Sequence, residues 1–212
     1  MEKESPTLSV LDVEDGRPIY LQGNECSHLF LIAQGHVKLS QINPEGKEFT
    51  IALLSQGELF GPLLSDPSKP DTQETATAKG AVRLYLLRMT EFKTLLSRHP
   101  DLAWRIMQMA YSRQQRLERK LGSLLFESVE ARVARTLYEL MGYYGERCSH
   151  GIKLNMKMDL RLNQQELADL VCASRPVVST ILNSLRDRKI LDYDRDFICI
   201  LNVQELERLD PS

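Results

Sequence analysis

The sequence predicts an α+β protein that consists of a β-rich domain, a long helix and a winged helix-turn-helix. Short apolar runs with glycine or proline between them occupy residues 10–98, a pattern typical of a β-roll, barrel or jelly roll. Residues 101–126 contain no proline and one glycine, and they carry helical periodicity. Two short helical patterns flank a tight turn further along the chain. These changes in pattern predict domains over residues 1–99, 100–127 and 128–212.

Five apolar runs are the strand candidates of the first domain. They are Ile19–Leu21, Leu29–Ile32, Val37–Ile42, Phe49–Leu53 and Val82–Leu86. Turn residues separate them, at Gly23, Gly35 and Asn43–Gly46, and Gly57 and Gly61 bracket a further bend. The close and regular spacing of these runs predicts the β-roll.

A stripe of apolar side chains runs along the long helix at three-then-four spacing. Its members are Leu102, Ile106, Met109, Leu117, Leu121 and Leu124. A helix of this length runs about 35–40 Å, which is longer than a small β-domain needs to close itself. We interpret the stripe as a dimerisation surface in a short coiled coil, and the alternative is a helix that packs only on its own domain. Helix-turn-helix proteins commonly read two half-sites, which favours the dimer.

The last domain contains the most informative pattern, two short helices around a turn. Their apolar faces consist of Leu167, Ala168 and Val171 in the first helix and Val178, Ile181, Leu182 and Leu185 in the second. Ser174 stands where the second helix needs an N-cap, and Pro176 is tolerated only in a first helical turn. Lys189–Tyr193 and Phe197–Ile200 flank Asp194–Asp196, which predicts a hairpin. A helix-turn-helix followed by a hairpin is a winged helix.

The polar side chains of this motif predict a DNA-binding surface. Arg175, Ser179 and Thr180 are short or forked donors suited to base edges in the major groove, and an arginine fork matches guanine O6 and N7. Contacts to the phosphate backbone are predicted at Ser174, Gln164, Gln165 and, on the wing, Arg195. The net charge of the chain is only −2, but residues 175–189 carry a local basic excess.

Composition argues against other classes of protein. No apolar run approaches the roughly eighteen residues of a membrane span, and residues 1–6 contain no apolar signal region, so we expect a cytoplasmic protein. The four cysteines and four histidines are scattered singly, without Cys-x-x-Cys or His-x-x-x-His. We therefore predict no metal site and no cofactor. Neither a Ser-His-Asp arrangement nor a glycine-rich phosphate loop is evident, and no enzyme activity is expected.

The order of these motifs resembles the cyclic-AMP receptor protein/FNR family of bacterial transcription regulators over nearly the whole chain. The strings that carry the resemblance are Ile19–Gly23, Leu29–Leu39, Asn43–Glu48, Gln56–Gly61, His99–Leu102 and Gln165–Val178. The resemblance implies a cyclic-nucleotide-binding-like β-roll (a double-stranded β-helix), a long dimerisation helix and a C-terminal winged helix-turn-helix. It also implies a homodimer that binds double-stranded DNA at a palindromic site and acts on RNA polymerase.

The first domain departs from the family members that bind cyclic AMP. In those members a glutamate follows the second glycine of the bend, and this chain has Pro62 there. In those members an Arg-Ser pair holds the phosphate, and the corresponding region of this chain is Asp71–Thr75. Leu117 and Glu118 stand where a Thr-Ser pair contacts adenine. A cyclic phosphate needs a guanidinium fork, and Asp71 and Glu74 would repel it. We therefore expect DNA binding without cyclic AMP.

The DNA-binding helix departs from the family as well. Pro176 replaces a glutamate that reads cytosine, Thr180 replaces a second arginine, and Cys172 replaces the usual turn glycine. The fold should tolerate all three changes. Proline has no side-chain acceptor, so we expect a DNA sequence other than the best-known half-site of the family.

Two alternatives for control stay open. One is a ligand sensor whose DNA binding is gated by an unidentified effector, or by haem held through His28, His36 or Cys26. The other is a redox switch at Cys26 or Cys172.

Overall fold

The computed structural model describes residues 9–46, 48–62, 72–147, 156–158, 162–194 and 198–210. Contacts divide the chain into two compact units, Met1–Leu117 and Glu118–Ser212. The division falls inside the long helix, whereas the sequence suggests boundaries before and after that helix. A separate helical domain over residues 100–127 therefore stays a prediction.

The first unit contains a six-stranded sheet in which all described pairs are antiparallel. Its strands are β1 (Ser9–Val13), β2 (Pro18–Tyr20), β3 (His28–Ile42), β4 (Glu48–Leu54), β5 (Leu59–Phe60) and β6 (Thr75–Arg88), and the helices that follow are α1 (Met89–Arg98) and α2 (Pro100–Phe126). The strand order is β1-β6-β3-β4, with β2 paired to β6 and β5 paired to β3. This architecture confirms the predicted β-rich domain and the long helix.

Strand β3 differs from its prediction. The runs Leu29–Ile32 and Val37–Ile42 were expected to be separate strands, but they form one strand that pairs with β6 on both sides of Gly35. Gly35 has φ +85°, and the pairing register shifts beside it, so the glycine produces a bulge and not a turn. A Cβ at Gly35 would lie 2.4 Å from the Ala81 carbonyl oxygen. The close approach of two strands therefore requires glycine here.

The bulge in β3 keeps both halves of the strand in the same core. Phe30 and Ile32 are buried before it, and Val37 and Leu39 are buried after it. Side chains alternate between the two faces of a strand, so the even-numbered Phe30 and Ile32 share one face. The extra residue at the bulge shifts the alternation by one position, and the odd-numbered Val37 and Leu39 then face the same core. The core that results consists of Tyr20, Phe30, Ile32, Val37, Leu39, Leu54, Phe60, Ala76, Ala78, Val82 and Leu84.

The second unit is a winged helix-turn-helix, as predicted. Its elements after α2 are α3 (Val129–Tyr144), β7 (Gly145–Arg147), β8 (Met156–Met158), α4 (Gln164–Val171), α5 (Arg175–Asp187), β9 (Leu191–Tyr193), β10 (Ile198–Ile200) and α6 (Val203–Arg208). Strands β9 and β10 pair antiparallel as the predicted hairpin and belong to a sheet in the order β7-β8-β10-β9. Helix α3 ends at Tyr144, and β7 follows it directly.

Two arginines of α3 connect the helices of this unit. Arg132 Nε donates to the Val171 carbonyl at the end of α4, and Arg132 Nη1 donates to the Glu127 carbonyl, both at 3.0 Å. Arg135 Nε donates to Asp210 at 3.1 Å, and Arg135 Nη1 lies 2.7 Å from a Glu127 carboxylate oxygen. These charge-assisted hydrogen bonds hold α4 and the C-terminal residues on α3. Among the described residues, no helix is both long and apolar enough to cross a membrane.

Candidate nucleic-acid interface

Helix α4 and the turn after it are defined by two local backbone devices. At the start of α4, Asn163 Oδ1 accepts from the Glu166 amide and Glu166 Oε2 accepts from the Asn163 amide, each at 3.0 Å. This capping box satisfies two amides that the helix leaves unpaired. At the other end Cys172 adopts the left-handed conformation, with φ +53°, and the Ala173 amide donates to the Ala168 carbonyl at 3.0 Å. Cys172 thus takes a conformation that glycine adopts more easily.

Helix α5 begins without a side-chain cap. Ser174 occupies the N-cap position, as predicted, with extended backbone angles, but its side chain makes no capping hydrogen bond. Arg175 and Pro176 are the first two residues of the helix, and both side chains are exposed. The Ser174 hydroxyl therefore does not serve as a helix cap.

The three arginines of residues 175–188 differ in their partners. Arg186 Nη2 donates to Asn183 Oδ1 at 2.9 Å, and its guanidinium lies 5.0 Å from the centre of the Tyr193 ring. Arg188 Nη1 lies 2.7 Å from a Glu130 carboxylate oxygen. Arg175 has no hydrogen bond or ion pair within the described parts of the chain. Its guanidinium therefore differs from the other two, whose hydrogen-bonding groups are already engaged within the protein.

The other predicted contact residues lie on the same unit but are not equally available. Gln165 is exposed, and its Nε2 donates to Asp169 at 2.8 Å. Gln164 and Ser179 are half-buried. Thr180 is exposed, but its hydroxyl donates to the Pro176 carbonyl at 3.0 Å. Arg195 lies outside the described residues.

A groove of about 880 Å³ lies between α4, α5 and the wing. Its lining includes Asn163, Gln164, Gln165, Arg175, Arg186 and Tyr193. The cluster of Asn183, Arg186 and Tyr193 was not predicted, because its members come together only when β9 packs beside α5. The Tyr193 hydroxyl also donates to Asn183 Oδ1, at 2.9 Å. Val177, which is 43% exposed near the start of α5, was not predicted either. Its neighbour Val178 is buried, and the sequence alone does not distinguish the two valines.

The β-sheet unit contains a separate cluster of aromatic and acidic side chains. The rings of Tyr20, Phe30 and Phe60 lie with their centroids 5.1 to 6.1 Å apart. The Tyr20 hydroxyl donates to Glu74 Oε1 at 2.9 Å. Burial raises the pKa of Tyr20, and the neighbouring Glu74 charge raises it further. Tyr20 therefore stays protonated and remains a hydrogen-bond donor.

Two arginines of α2 also reach this unit, which the sequence analysis did not anticipate. Arg113 Nη2 donates to the Leu59 carbonyl at 2.7 Å, and Arg116 Nη2 lies 2.8 Å from Glu58 Oε1. Burial lowers the pKa of Arg113, and Glu58 partly opposes this effect. Arg113 Nε is buried without a hydrogen-bond partner in the described chain. Both guanidinium groups thus already have an acceptor from the protein itself.

The regions compared with a cyclic-nucleotide site are only partly described. Gly61 has φ +103°, and a Cβ there would lie 2.9 Å from the His28 carbonyl oxygen. Pro62 is the last residue described before the gap, and Asp71 lies outside the described residues. On α2, Leu117 and Glu118 are exposed.

The residues weighed as metal or haem ligands are dispersed. His28 Nδ1 lies 3.2 Å from the Ser27 hydroxyl, and Cys26 Sγ lies 3.5 Å from the His28 carbonyl oxygen. Within the described ranges, no three histidine, cysteine or acidic side chains come together as metal ligands. Cys148 and His150 lie outside the described residues.

Comparisons with known proteins match both units of the chain. Residues 10–99 match the cyclic nucleotide-binding domain, and residues 131–209 match the Crp-like helix-turn-helix domain. The two matches occur along the chain in the same order as the β-sheet unit and the winged helix-turn-helix unit. The chain belongs to the CRP/FNR family of transcription regulators.

Relatives across the CRP/FNR family match most of the chain. The global nitrogen regulator of Synechococcus elongatus is 28% identical over 92% of this chain and 86% of its own length. The CRP-like cAMP-activated global transcriptional regulator of Mycobacterium tuberculosis is 27% identical over 95% of this chain and 88% of its own length. Among solved structures, FixK2 from Bradyrhizobium japonicum superposes with a TM-score of 0.82 at 18% identity, covering 97% of this chain and 98% of that chain.

Membership of the CRP/FNR family establishes the general function of the chain. It is a DNA-binding transcription regulator, and its DNA-binding element is the helix-turn-helix of residues 131–209. The relatives are regulators of transcription and not enzymes. One relative is named for activation by cAMP and another for nitrogen regulation, so the family does not specify an effector.

Proposed function

We propose that the chain acts as a homodimer that reads a palindromic DNA site through α5 and does so without cyclic AMP. The observation that carries the proposal is the Arg175 guanidinium at the exposed start of α5, which has no hydrogen bond or ion pair with any described residue. Arg175, Ser179 and Thr180 face the bases, while Ser174, Gln164, Gln165 and Arg195 contact the phosphate backbone. RNA polymerase is the proposed protein partner, as the family resemblance implies.

Arg175 has the chemistry of a guanine reader. A guanidinium fork donates two parallel hydrogen bonds to guanine O6 and N7. Asn183 accepts from Arg186 and Glu130 pairs with Arg188, so these two acceptors serve other arginines. Arg175 therefore has no bond with the described residues to lose when it enters a groove, and Arg186 and Arg188 supply positive charge on the same helix.

Pairing of two copies through α2 is supported by an apolar stripe that one protomer leaves exposed. Trp104, Met107, Tyr111, Leu121 and Leu125 are between 53% and 77% exposed. With the exposed Gln114 and Glu118 they recur at alternating intervals of three and four residues, the spacing of a coiled-coil seam. We call these seven positions the α2 seam.

The α2 seam differs from the stripe expected from the sequence. Leu102, Ile106, Met109 and Leu124 are half-buried within one protomer, so they offer less surface to a second copy. Leu117 and Leu121 are exposed, and Leu121 belongs to both sets. In the proposed dimer, the seam makes the contact while the half-buried residues hold α2 on its own chain.

Independence from cyclic AMP is supported by the charges around Tyr20. Glu74 and Glu58 lie beside the aromatic cluster and the two α2 arginines. Both carboxylates are negatively charged and repel a phosphate. Arg116 is paired with Glu58, and Arg113 donates to the Leu59 carbonyl. A cyclic phosphate would have to break these contacts before it gained its own.

Selection of binding sites from random duplexes tests this function directly. Purified full-length protein without added ligand should retain duplexes that share a palindrome with half-sites about 34 Å apart. Addition of cyclic AMP should leave both the sequence and the affinity unchanged. Retention only in the presence of cyclic AMP would refute ligand independence, and an asymmetric selected sequence would refute the symmetric dimer.

A further inference from the structure

Apart from Arg175, the exposed residues in the first two turns of α5 are two apolar residues and a threonine. Pro176, Val177 and Thr180 are exposed, while Val178 and Leu182 are buried on the opposite side of the helix. Val177 is an aliphatic side chain that the protein leaves in water at the start of a helix that reads DNA. Such exposure costs free energy in the unbound protein and is recovered when a partner covers it.

Thr180 adds to this apolar surface because its hydroxyl is already used. The hydroxyl donates to the Pro176 carbonyl one turn earlier, at 3.0 Å. Once the hydroxyl is turned back onto the helix, the Cγ2 methyl is the group of Thr180 that remains for a partner. Pro176 contributes ring carbons and lacks both a backbone N–H and a side-chain acceptor.

We infer that Pro176, Val177 and Thr180 read thymine through its C5 methyl group, beside a guanine read by Arg175. The thymine methyl is the one apolar group that a base pair presents in the major groove, and apolar side chains contact it there. A cytosine or an adenine at the same place would set a polar amino group against carbon atoms that cannot accept its hydrogen bond. This inference rests on the proposed function, because it assumes that α5 lies in the major groove.

Replacing thymine by uracil in the selected duplex isolates this contact. Uracil keeps the base pair and the O4 acceptor and lacks only the C5 methyl. Each half-site should contain at least one thymine where the change to uracil weakens binding by about fourfold, the equivalent of one buried methyl. The same change in both half-sites should weaken binding by about fifteenfold if the two contacts are independent.

Two substitutions of Thr180 distinguish the methyl from the hydroxyl. Thr180→Val keeps the methyl and removes the hydroxyl, whereas Thr180→Ser keeps the hydroxyl and removes the methyl. Thr180→Val should retain the penalty for uracil, and Thr180→Ser should reduce it. Val177→Ala should reduce the penalty as well, and Ser184→Ala, at an exposed position further along α5, is the matched control that should leave it unchanged.

The outcomes separate this inference from the function on which it rests. If the protein retains no duplex, the proposed function fails. If it retains a defined palindrome but no thymine-to-uracil change weakens binding, the function stands and the methyl readout is wrong. If Thr180→Ser keeps the penalty while Thr180→Val loses it, the hydroxyl reads the base, and the inference is likewise overturned. Circular dichroism of each variant checks that α5 is folded.

Discussion

The Tyr20 hydroxyl donates a hydrogen bond of 2.9 Å to the Glu74 carboxylate, joining residues 54 positions apart in the sequence. Tyr20 ends β2 and Glu74 precedes β6, so the bond connects the two strands at the edge of the aromatic cluster. Tyr20 is almost fully buried, with 8% of its surface exposed. The carboxylate thus places a negative charge beside the rings.

Removal of this hydrogen bond should destabilise the β-sheet unit. Tyr20→Phe keeps the ring packing but leaves Glu74 without its donor, and a hydrogen bond to a charged group contributes about 1.5 kcal/mol or more. Urea unfolding followed by fluorescence measures the change in free energy of unfolding. Tyr138→Phe, at an exposed tyrosine of α3, is the control and should change little. Equal stability of both variants would show that Glu74 finds another partner.

Substitution of Arg175 should alter specificity and not only affinity. Arg175→Ala should weaken binding to the selected site by about tenfold or more and should abolish the preference at one base pair of each half-site. Competition with duplexes changed at single base pairs measures this preference. Arg186→Ala is the comparison, since Arg186 is held by Asn183 and Tyr193 and should lower affinity for all sequences alike. A uniform loss in Arg175→Ala would make that residue a phosphate contact.

A charge in the α2 seam should separate the proposed dimer. Met107→Glu places two carboxylates in an apolar contact that twofold symmetry brings together, and burial of unpaired charge is strongly unfavourable. Size-exclusion chromatography with light scattering should then give the mass of one chain, and DNA affinity should fall. Gln108→Glu, which adds the same charge at an exposed neighbouring position, should remain dimeric. A wild-type protein with the mass of one chain would remove the basis of this prediction.

The reactivity of Cys26 should depend on pH in a direction set by its surroundings. Burial raises the pKa of the Cys26 thiol, a hydrogen bond with the His28 backbone opposes this effect, and the Glu74 charge adds to it. A raised pKa favours the protonated thiol in the folded protein, so this site stabilises the fold below the unfolded thiol pKa. That contribution is lost as pH rises through the folded pKa.

Alkylation followed by mass spectrometry measures the effect. The midpoint for Cys26 in the folded protein should lie above that of the urea-unfolded chain, and Glu74→Gln should lower it. Because the thiolate is the reactive form, Cys26 should react slowly near neutral pH. A midpoint below that of the unfolded chain would support the alternative of a redox switch.

Periodicity predicted the elements of this fold well, but not which surfaces they leave exposed. The apolar spacing in α4 and α5 identified six residues that are buried and one, Ile181, that is half-buried; the six are Leu167, Ala168, Val171, Val178, Leu182 and Leu185. The stripe predicted on α2 is mixed in its burial, because Leu102, Ile106, Met109 and Leu124 are half-buried while Leu117 and Leu121 are exposed. Both groups contain leucine, so only the packing distinguishes them.

The residue types of the candidate site can be read from the sequence, but the hydrogen-bond partners of those residues cannot. Arg175 stood out from its place in the motif. The Thr180 hydroxyl donates to the Pro176 carbonyl, and Arg186 donates to Asn183. Both hydrogen bonds depend on side-chain rotamers and on the neighbouring strand, which the sequence does not specify. Gly35 illustrates the same limit, since a glycine between two apolar runs fits a turn and a bulge equally well until the strand partners are known.

The sequence of the α2 seam also sets the alignment of any two helices that pair through it. Its ends are apolar, at Trp104, Met107 and Tyr111 and again at Leu121 and Leu125, while Gln114 and Glu118 interrupt the middle. In a parallel pair each residue meets its own copy, so polar groups meet only polar groups. A shift of one helix by one heptad would place Glu118 against Tyr111 or Leu125 of the other helix. Because a charged side chain against an apolar one is unfavourable, the seam favours the unshifted register.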